Sequence, residues 1–234
     1  MDKFVITGGV PLKGVITASG NKNAALKLLP ACLLTDEPVI LHNIPNIQDV
    51  RNTILVLQDL GVEVREIGPG SYRVHAQNVN KTELDPTLAG RTRASIVFAG
   101  PMLARMGRVT LPLPGGDVIG GRPLDTHVQA LSSLGVEVET GRVGKFDMHA
   151  DYLHGAGYLL LAEASVTATE NAIMAAVLAK GETIIDNAAS EPHVRDLCHF
   201  LNSLGAQIEG VGTNRLQIDG VERLSGGEYL SLIH

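Results

Sequence analysis

The chain has no tryptophan, few other aromatic residues and only two cysteines among its 234 residues. With 3% aromatic but 44% hydrophobic residues, it must build its core from Leu, Val, Ile and Ala, and a chain of this composition is not disordered. Cys32 and Cys198 each lie in an apolar helical pattern, so we interpret them as core thiols of a reducing compartment. We therefore expect a cytoplasmic protein.

Other absences exclude further classes. The sequence contains no apolar run of about 20 residues and no secretory signal pattern. Its net charge of −6 argues against nucleic-acid or anionic-membrane partners. Metal-ligand spacing of His and Cys, a Gly-x-Ser-x-Gly elbow, and the Walker and dinucleotide glycine spacings are all missing. We predict neither a metal nor a cofactor.

What the sequence does contain is an internal repeat. Three helical patterns end in Leu-Gly, at Gly61, Gly135 and Gly205, which are 74 and 70 residues apart. Apolar residues precede these glycines at the same offsets: Leu57, Leu131 and Leu201; Ile54, Val128 and Cys198; Val50, Leu124 and Val194. Steps of three and four residues indicate one face of an amphipathic helix, and the glycine suits a left-handed cap.

Strand patterns flank each of these helices. After every glycine, two runs that alternate apolar and polar residues predict a hairpin. Each of the three helices is preceded in the chain by another helical stretch (24–34, 94–106, 172–179) and then a short strand. The sequence therefore predicts an α/β (α+β) domain of three helix–strand–helix–hairpin units over residues 22–222, with a shared core. Leu-Gly helix ends are common in α/β proteins, but this match of offsets in three copies is not.

The copies differ from one another at the starts of two helices. Lys22 lies in the segment 19–25 and Arg93 in the segment 91–95, each where a cation opposes the helix dipole. An anion bound to the lysine and the backbone N–H groups would resolve the conflict, and a solvated lysine is the alternative. Arginine suits bidentate contact with phosphate or carboxylate. Asn21 or Asn23 is the expected N-cap of the first helix.

A third difference is the loop 113–123, which holds four glycines and two prolines between a strand and a helix. It places Asp117 and Arg122 at exposed positions on a segment able to close over a reacting group. A plain glycine-rich connection is the alternative. The corresponding connections of the other two copies, His42–Pro45 and Asn187–Ser190, contain far less glycine, and this favours a functional loop.

At these residues the sequence resembles the UDP-N-acetylglucosamine 1-carboxyvinyltransferases, the enolpyruvyl transferases of peptidoglycan synthesis. The similar strings are Gly20–Ala25, Arg93–Ser95, Pro114–Gly120, Arg122–Asp125 and Ser165–Asn171. The related shikimate-pathway enzyme shares the fold but not these strings. The resemblance implies two similar domains, each an inside-out α/β barrel of three repeated units, with the active site in the cleft between them.

The resemblance also implies a reaction. Phosphoenolpyruvate would donate its enolpyruvyl group to the 3-hydroxyl of UDP-N-acetylglucosamine and release phosphate, in the first committed step of peptidoglycan synthesis. Lys22 and Asn23 match positions at phosphoenolpyruvate, and Lys22, Arg122 and Asp117 match the catalytic set. The matches at the sugar nucleotide are Arg93, Arg122, Pro123, Leu124, Asp125 and Thr126, and those at the uridine diphosphate are Ser165, Val166 and Thr167. Many members have glycine where Thr167 stands.

Many members also have cysteine where this chain has Asp117. As the general acid toward the enolpyruvyl methylene, a carboxyl needs a pKa well above the reference of about 3.9, which burial on loop closure would favour and Arg122 would oppose. We hypothesise that Asp117 is this proton donor. Since a thiolate attacks an epoxide far more readily than a carboxylate does, we expect resistance to epoxide inhibitors.

By the same resemblance the chain covers only the first domain. We expect residues 1–21 to be a strand pair that normally packs on the second domain, and residues 223–234 to begin the linker, with final residues that are artefactual. The partners would then be the two substrates and the missing second domain, and the fragment would be inactive by itself. Two alternatives are an enolpyruvyl transferase with another acceptor and a non-catalytic UDP-sugar-binding paralogue.

Overall fold

The structure is a computed structural model that describes residues 3–16, 18–112, 124–139 and 144–231. Its α-helices are α1 (Lys22–Ala31), α2 (Gln48–Asp59), α3 (Pro86–Ala89), α4 (Ala99–Met106), α5 (Asp125–Ser133), α6 (Val166–Ala176) and α7 (Pro192–Ser203). Its strands are β1 (Val39–His42), β2 (Glu63–Gly68), β3 (Ser71–His75), β4 (Arg108–Pro112), β5 (Glu137–Glu139), β6 (Lys145–His149), β7 (Gly157–Leu160), β8 (Glu182–Asp186), β9 (Gln207–Glu209), β10 (Arg215–Asp219) and β11 (Gly227–Leu230). 3₁₀ segments at Cys32–Leu34 and Arg93–Phe98 extend α1 and α4.

The three predicted copies are confirmed. Each consists of an inner helical segment, a strand, an outer helix and an antiparallel hairpin. The outer helices end one residue before Leu60, Leu134 and Leu204, and the following glycines have φ values of 95°, 93° and 103°. Only glycine adopts this left-handed conformation without strain, so the repeated Leu-Gly pairs mark helix ends, as the sequence predicted.

The inner segments depart from prediction at their starts. The helix expected over 94–106 begins as the 3₁₀ segment, and the third inner helix begins at Val166, six residues before the expected Ala172. Residues 167–171 are mostly polar, so the apolar spacing that predicts a helix does not extend over them. Most of them are nonetheless buried, with Thr169, Glu170 and Asn171 each 0% exposed.

Each sheet is built around one copy, and the two four-stranded sheets each take their fourth strand from elsewhere in the chain. The orders are β11-β1-β3-β2 and β7-β8-β10-β9, with β4-β6-β5 in the middle copy. β7 follows the second hairpin and pairs in parallel with β8 of the third copy, while β11 follows the third hairpin and pairs in parallel with β1 of the first. In the middle copy Glu83 forms a parallel bridge with Thr110. The first sheet therefore takes a strand from beyond residue 222, where we expected the domain to end.

Two asparagines hold the ends of the parallel strands in equivalent ways. Asn43 and Asn187 follow β1 and β8, with φ values of 60° and 59°. The Asn43 Nδ2 donates to the carbonyl of Ser231 at 2.9 Å, and the Asn187 Nδ2 donates to that of Leu161 at 3.0 Å. These carbonyls belong to the residues directly after β11 and β7. Since asparagine tolerates the left-handed region better than most residues, the repeat extends to these turns.

The closing strand β11 is also attached to the outer helix of the third copy. Tyr229 and Ser231 donate to the Asp196 carboxylate, at 2.8 Å and 2.7 Å, and the Tyr229 and Phe200 rings pack edge to face. Burial and the Asp196 carboxylate raise the pKa of Tyr229 above its ordinary value. Residues as far as Ser231 thus belong to the fold of the three copies.

The core lies between the inner segments of the three copies. The 3₁₀ segment at Arg93–Phe98 contacts α1, and the later helix α4 contacts the residues that end α1, so the two run in the same direction. Both α4 and the 3₁₀ segment contact α6. The core is mainly aliphatic, as the composition predicted, and Cys32 and Cys198 are buried free thiols within it.

Residues 3–16, for which we expected a strand pair packed on the second domain, form neither helix nor strand by themselves. Phe4 and Leu12 are 96% and 100% exposed, and Val5, Ile6 and Val15 are nearly as open. A strand gains its hydrogen bonds from a neighbouring strand, and no such neighbour is present in the part of the chain that the structure describes.

The contact between α4 and α6 gives a first testable prediction. A Cβ on Gly100 would lie 2.4 Å from the Asn171 carbonyl oxygen. Gly100→Ala must therefore push two buried helices apart, and we expect the free energy of unfolding to fall by about 2 kcal/mol, although alanine favours a helix. Gly68→Ala is the control, because the nearest atom to its Cβ would be 3.9 Å away. Equal stability of the two variants in urea denaturation would contradict the packing argument.

Candidate active site

The first helix begins at the positions that we predicted to contact phosphoenolpyruvate. Asn21 is the N-cap, and its Oδ1 accepts a hydrogen bond from the Ala24 N–H at 3.0 Å. The Lys22 ammonium lies 2.5 Å from the Asp49 carboxylate in the first turn of α2. We had considered an anion or solvent as the partner of this lysine, and the structure gives a carboxylate. Lys22 and Asn23 remain exposed and can be reached by a ligand.

Arg93 opens the 3₁₀ segment of the second copy. The preceding Thr92 caps this segment, because its hydroxyl accepts a hydrogen bond from the Ala94 N–H at 3.2 Å. Arg93 is half-buried, and its positive charge acts on His127 of α5.

The first turns of α5 and α6 meet beside this segment. Thr126 of α5 is buried and donates to the Glu163 carboxylate, which lies shortly before α6, at 3.2 Å. Ser165 occupies the N-cap position of α6, but its side chain makes no capping hydrogen bond. The first amide N–H groups of α6 therefore lack a side-chain cap, and such a helix start accepts an anion.

A buried hydrogen-bond network fixes the arrangement of these helix starts. The Asn171 Oδ1 accepts from the Gly100 N–H at 2.8 Å, and its Nδ2 donates to the Ile96 carbonyl at 2.9 Å. The same Nδ2 lies 2.9 Å from the His127 Nδ1, so that Nδ1 is an acceptor and the ring proton is on Nε2. The His127 Nε2 then donates to the Thr167 hydroxyl at 3.0 Å.

This network keeps the His127 imidazole neutral. Burial, and then the nearby Arg93 guanidinium, lower the pKa of His127 to about 4. At neutral pH the ring is therefore a hydrogen-bond donor without charge, and it does not repel an arginine or a cationic group beside it.

The structure thus brings together several predicted site residues from two copies of the repeat. Arg93, Leu124, Asp125 and Thr126 come from the second copy, and Ser165, Val166 and Thr167 come from the start of the third. Lys22 and Asn23 begin α1, which contacts the Arg93–Phe98 segment. Asp117, Arg122 and Pro123 lie outside the described residues.

The sequence analysis missed His127, Glu163 and Asn171. His127 directly follows Thr126 of the predicted site, and Asn171 is part of the similar string Ser165–Asn171, so their positions were a usable signal. Their pairing could not be found from spacing, because 44 residues separate His127 from Asn171.

Other features of the described residues lie away from this site. A cleft of about 930 Å³ opens at the sheet β4-β6-β5, beside the ion pair of Glu83 and Lys145, and none of the described residues predicted for the site lines it. Within the described ranges no group of His, Cys, Asp and Glu could hold a metal ion. A search of the same ranges finds no helix of the length and apolarity needed to cross a membrane.

Sequence comparisons relate the chain to one family. Residues 6–231 match the profile of the family described as EPSP synthase (3-phosphoshikimate 1-carboxyvinyltransferase). The chain is 52% identical over 229 residues to the UDP-N-acetylglucosamine 1-carboxyvinyltransferase of Treponema denticola, with 98% of this chain and 53% of the relative covered. The enzyme of the same name from Borreliella burgdorferi is 51% identical over 226 residues, with 97% and 52% covered. The chain spans about half the length of these curated relatives.

Solved structures agree in fold. The enolpyruvyl transferase NikO from Streptomyces tendae superposes with a TM-score of 0.82 at 21% identity, covering 96% of this chain and 53% of that one. EPSP synthase from Acinetobacter baumannii gives a TM-score of 0.71 at 18% identity, covering 93% and 49%. The predicted α/β fold of this enzyme group is confirmed.

The neutral His127 gives a pH prediction. Its folded pKa is lowered, so the stability that it contributes is complete above the unfolded value of about 6.5 and is lost as the pH falls toward about 4, where the folded ring also protonates. Between pH 7 and 5 we expect wild type to lose about 2 kcal/mol more unfolding free energy than His127→Gln. Denaturant titrations at both pH values measure this, and equal losses would refute a neutral buried ring.

Proposed function

The chain belongs to the EPSP synthase family, and from this premise we propose that it carries the first half of a UDP-N-acetylglucosamine 1-carboxyvinyltransferase. The enzyme transfers enolpyruvyl from phosphoenolpyruvate to the 3-hydroxyl of the sugar nucleotide, releases phosphate, and serves peptidoglycan synthesis in the cytoplasm. The relatives that are 52% and 51% identical to this chain are named for UDP-N-acetylglucosamine, and this supports the sugar nucleotide as the acceptor instead of the acceptor of the shikimate pathway.

The observation that carries the proposal is the meeting of Arg93 with the first turns of α5 and α6. A nucleotide diphosphate needs fixed cations and free backbone N–H groups, and the uncapped start of α6 at Ser165, Val166 and Thr167 offers the latter. Leu124, Asp125 and Thr126 stand next to it and, with Arg122 and Pro123, would hold the sugar. The neutral His127 keeps the Thr167 hydroxyl turned toward the ring, so this hydroxyl keeps its own proton for a ligand oxygen.

Phosphoenolpyruvate would bind at Lys22 and Asn23. The ion pair between Lys22 and Asp49 is partly exposed, with the two side chains 53% and 30% open, so a ligand anion can displace the carboxylate at modest cost. In this proposal Asp117 protonates the enolpyruvyl methylene, and Arg122 with Lys22 stabilises the charge that develops on the substrate.

Two alternatives stay open. An enolpyruvyl transferase with another acceptor is the closer one, since the family description and the curated relatives name two different acceptors, 3-phosphoshikimate and UDP-N-acetylglucosamine. A UDP-sugar-binding paralogue without activity is the other, and the presence of Asp117, Lys22 and Arg122 together favours an enzyme. The second domain of such an enzyme is an expected partner of this half.

Activity is tested in a chimera of residues 1–231 with the second half of the Treponema denticola relative. We expect phosphate release that requires both substrates, none from the 234-residue chain itself, and a kcat lowered at least about 100-fold by Asp117→Asn. Arg93→Ala should raise KM for the sugar nucleotide about tenfold. Arg91→Ala is the matched control and should change neither constant by more than about twofold.

A chimera that unfolds cooperatively but releases no phosphate, beside an active intact relative, would argue against the enzyme. Release with another acceptor, and none with UDP-N-acetylglucosamine, would select the first alternative.

Asp117, in the loop 113–123, gives a separate prediction. An epoxide that alkylates cysteine should inactivate the wild-type chimera slowly, and Asp117→Cys should be inactivated at least about tenfold faster, because the thiolate is the better nucleophile. The rate of activity loss against epoxide concentration measures this. If wild type and Asp117→Cys lose activity at the same rate, the epoxide does not react at position 117.

A further inference from the structure

A buried cluster of ionisable side chains lies against the second turn of α1. It consists of Lys27 of α1, Glu170 of α6 and His193 of α7, and we call it the 27–170–193 cluster. The Lys27 ammonium is 3.4 Å from Glu170 Oε2, and the His193 Nε2 is 3.9 Å from Oε1. Their side chains are 6%, 0% and 13% exposed.

The Glu170 carboxyl is buried without hydrogen bonds to the described part of the chain. Neither of its oxygens has a hydrogen-bond partner among the residues that the structure describes. A buried ion pair of this kind rarely adds stability, since apolar side chains of similar volume would pack there at lower cost. Stability therefore does not explain why a lysine and a carboxyl occupy the core at this point.

The cluster lies about one helical turn along α1 from the proposed phosphoenolpyruvate site. Lys27 follows Asn23 by four residues, so both lie on one face of α1, about 6 Å apart along the helix axis. The α1 residues between them, Ala24, Ala25 and Leu26, are buried, and charge is screened far less among buried groups than in water. A change in the charge of the cluster is consequently felt by an anion bound at Asn23.

The charge of the cluster depends on one proton. Burial raises the pKa of Glu170 to about 8, against the opposing effect of Lys27, and the exposed Glu191 adds to the rise. Burial and the Lys27 charge lower the pKa of His193, so that ring is neutral in the same range. Cys198 of α7 also faces Glu170, and burial keeps its thiol protonated.

We propose that Glu170 is a positioning residue that acts on the anion site through Lys27: its protonated carboxyl leaves the lysine charge to attract phosphoenolpyruvate, and its ionised carboxylate cancels that charge. This rests on the proposed function of Lys22 and Asn23. The proton comes from solvent water and returns to it. His193 is the partly exposed member of the cluster, and its neutral ring offers a path between Glu170 and solvent.

The proposal predicts how affinity changes with pH. The second pKa of a phosphate ester is about 6, so the ligand keeps its charge above pH 7 and the change must come from the protein. As the pH rises from 7 to 9, Glu170 ionises, and we expect wild type to lose about tenfold in affinity for phosphoenolpyruvate. Glu170→Gln, which cannot ionise, should lose less than about twofold.

The measurement is calorimetric titration of the 234-residue chain with phosphoenolpyruvate in the presence of UDP-N-acetylglucosamine. At pH 9, titrations in two buffers of different ionisation enthalpy should give nearly one proton taken up per ligand bound by wild type and none by Glu170→Gln. Asp196→Asn is the matched control, because Asp196 is a buried carboxyl of α7 that faces β11 instead of the cluster. It should keep the wild-type dependence on pH.

The possible results separate the two proposals. Binding by wild type with the same pH dependence in Glu170→Gln would overturn the role of Glu170 and leave the proposed function standing. No binding of phosphoenolpyruvate to wild type at any pH would overturn the role of Glu170, and phosphate release by the chimera would then decide the proposed function by itself. If Glu170→Gln does not fold, the double variant Lys27→Met/Glu170→Met removes both charges at similar volume, and it must likewise lose the pH dependence.

Discussion

The close approach of α4 and α6 is the contact on which both the fold and the candidate site depend. Gly100 leaves room for the backbone of Asn171, and at this distance the asparagine amide reaches across to the second copy. One side chain therefore satisfies the Gly100 N–H, which packing would otherwise strand in the core, and adds a second hydrogen bond to the Ile96 carbonyl, which already accepts one from the Ala99 N–H. The same amide orients His127, which in turn orients the Thr167 hydroxyl. Packing inside the core thus determines the geometry at the surface where α5 and α6 begin.

The repeat could be predicted from the sequence because its signals are local. An amphipathic helix that ends in glycine and leads into alternating strands repeats within about 70 residues, and each signal depends on neighbours a few positions apart. The left-handed Gly61, Gly135 and Gly205 follow directly from this, while the cap of α1 was predicted as Asn21 or Asn23 and the structure selects Asn21. The start of α6 was missed for the opposite reason. Its first turns are polar yet buried, and their partners belong to a different copy of the unit.

Pairings between distant residues account for what the sequence did not reveal. β11 joins β1 in parallel across nearly the whole chain, and no periodicity in residues 227–230 indicates which strand they will meet. The contact between Lys22 and Asp49 is similar, since spacing cannot tell whether a lysine at a helix start faces an anion, solvent or the next helix. The family resemblance named Arg93, Thr126 and Thr167 for one predicted site before their contacts were known, and the structure places the segments that carry them side by side. How they are joined required the fold.

Glu170 and Asn171 are adjacent in α6 and equally buried, but their side chains differ in how well their hydrogen bonds are satisfied. The amide of Asn171 is satisfied on both its oxygen and its nitrogen, and the one ionisable group among its hydrogen-bond partners, His127, stays neutral near pH 7. The carboxyl of Glu170 has a cation at 3.4 Å and no hydrogen bond among the described residues. A fully bonded group fixes geometry, whereas a carboxyl held only by an ion pair can change its charge without breaking the packing around it. The first property suits a residue that aligns helix starts from different copies, and the second suits a residue that adjusts the potential beneath an anion.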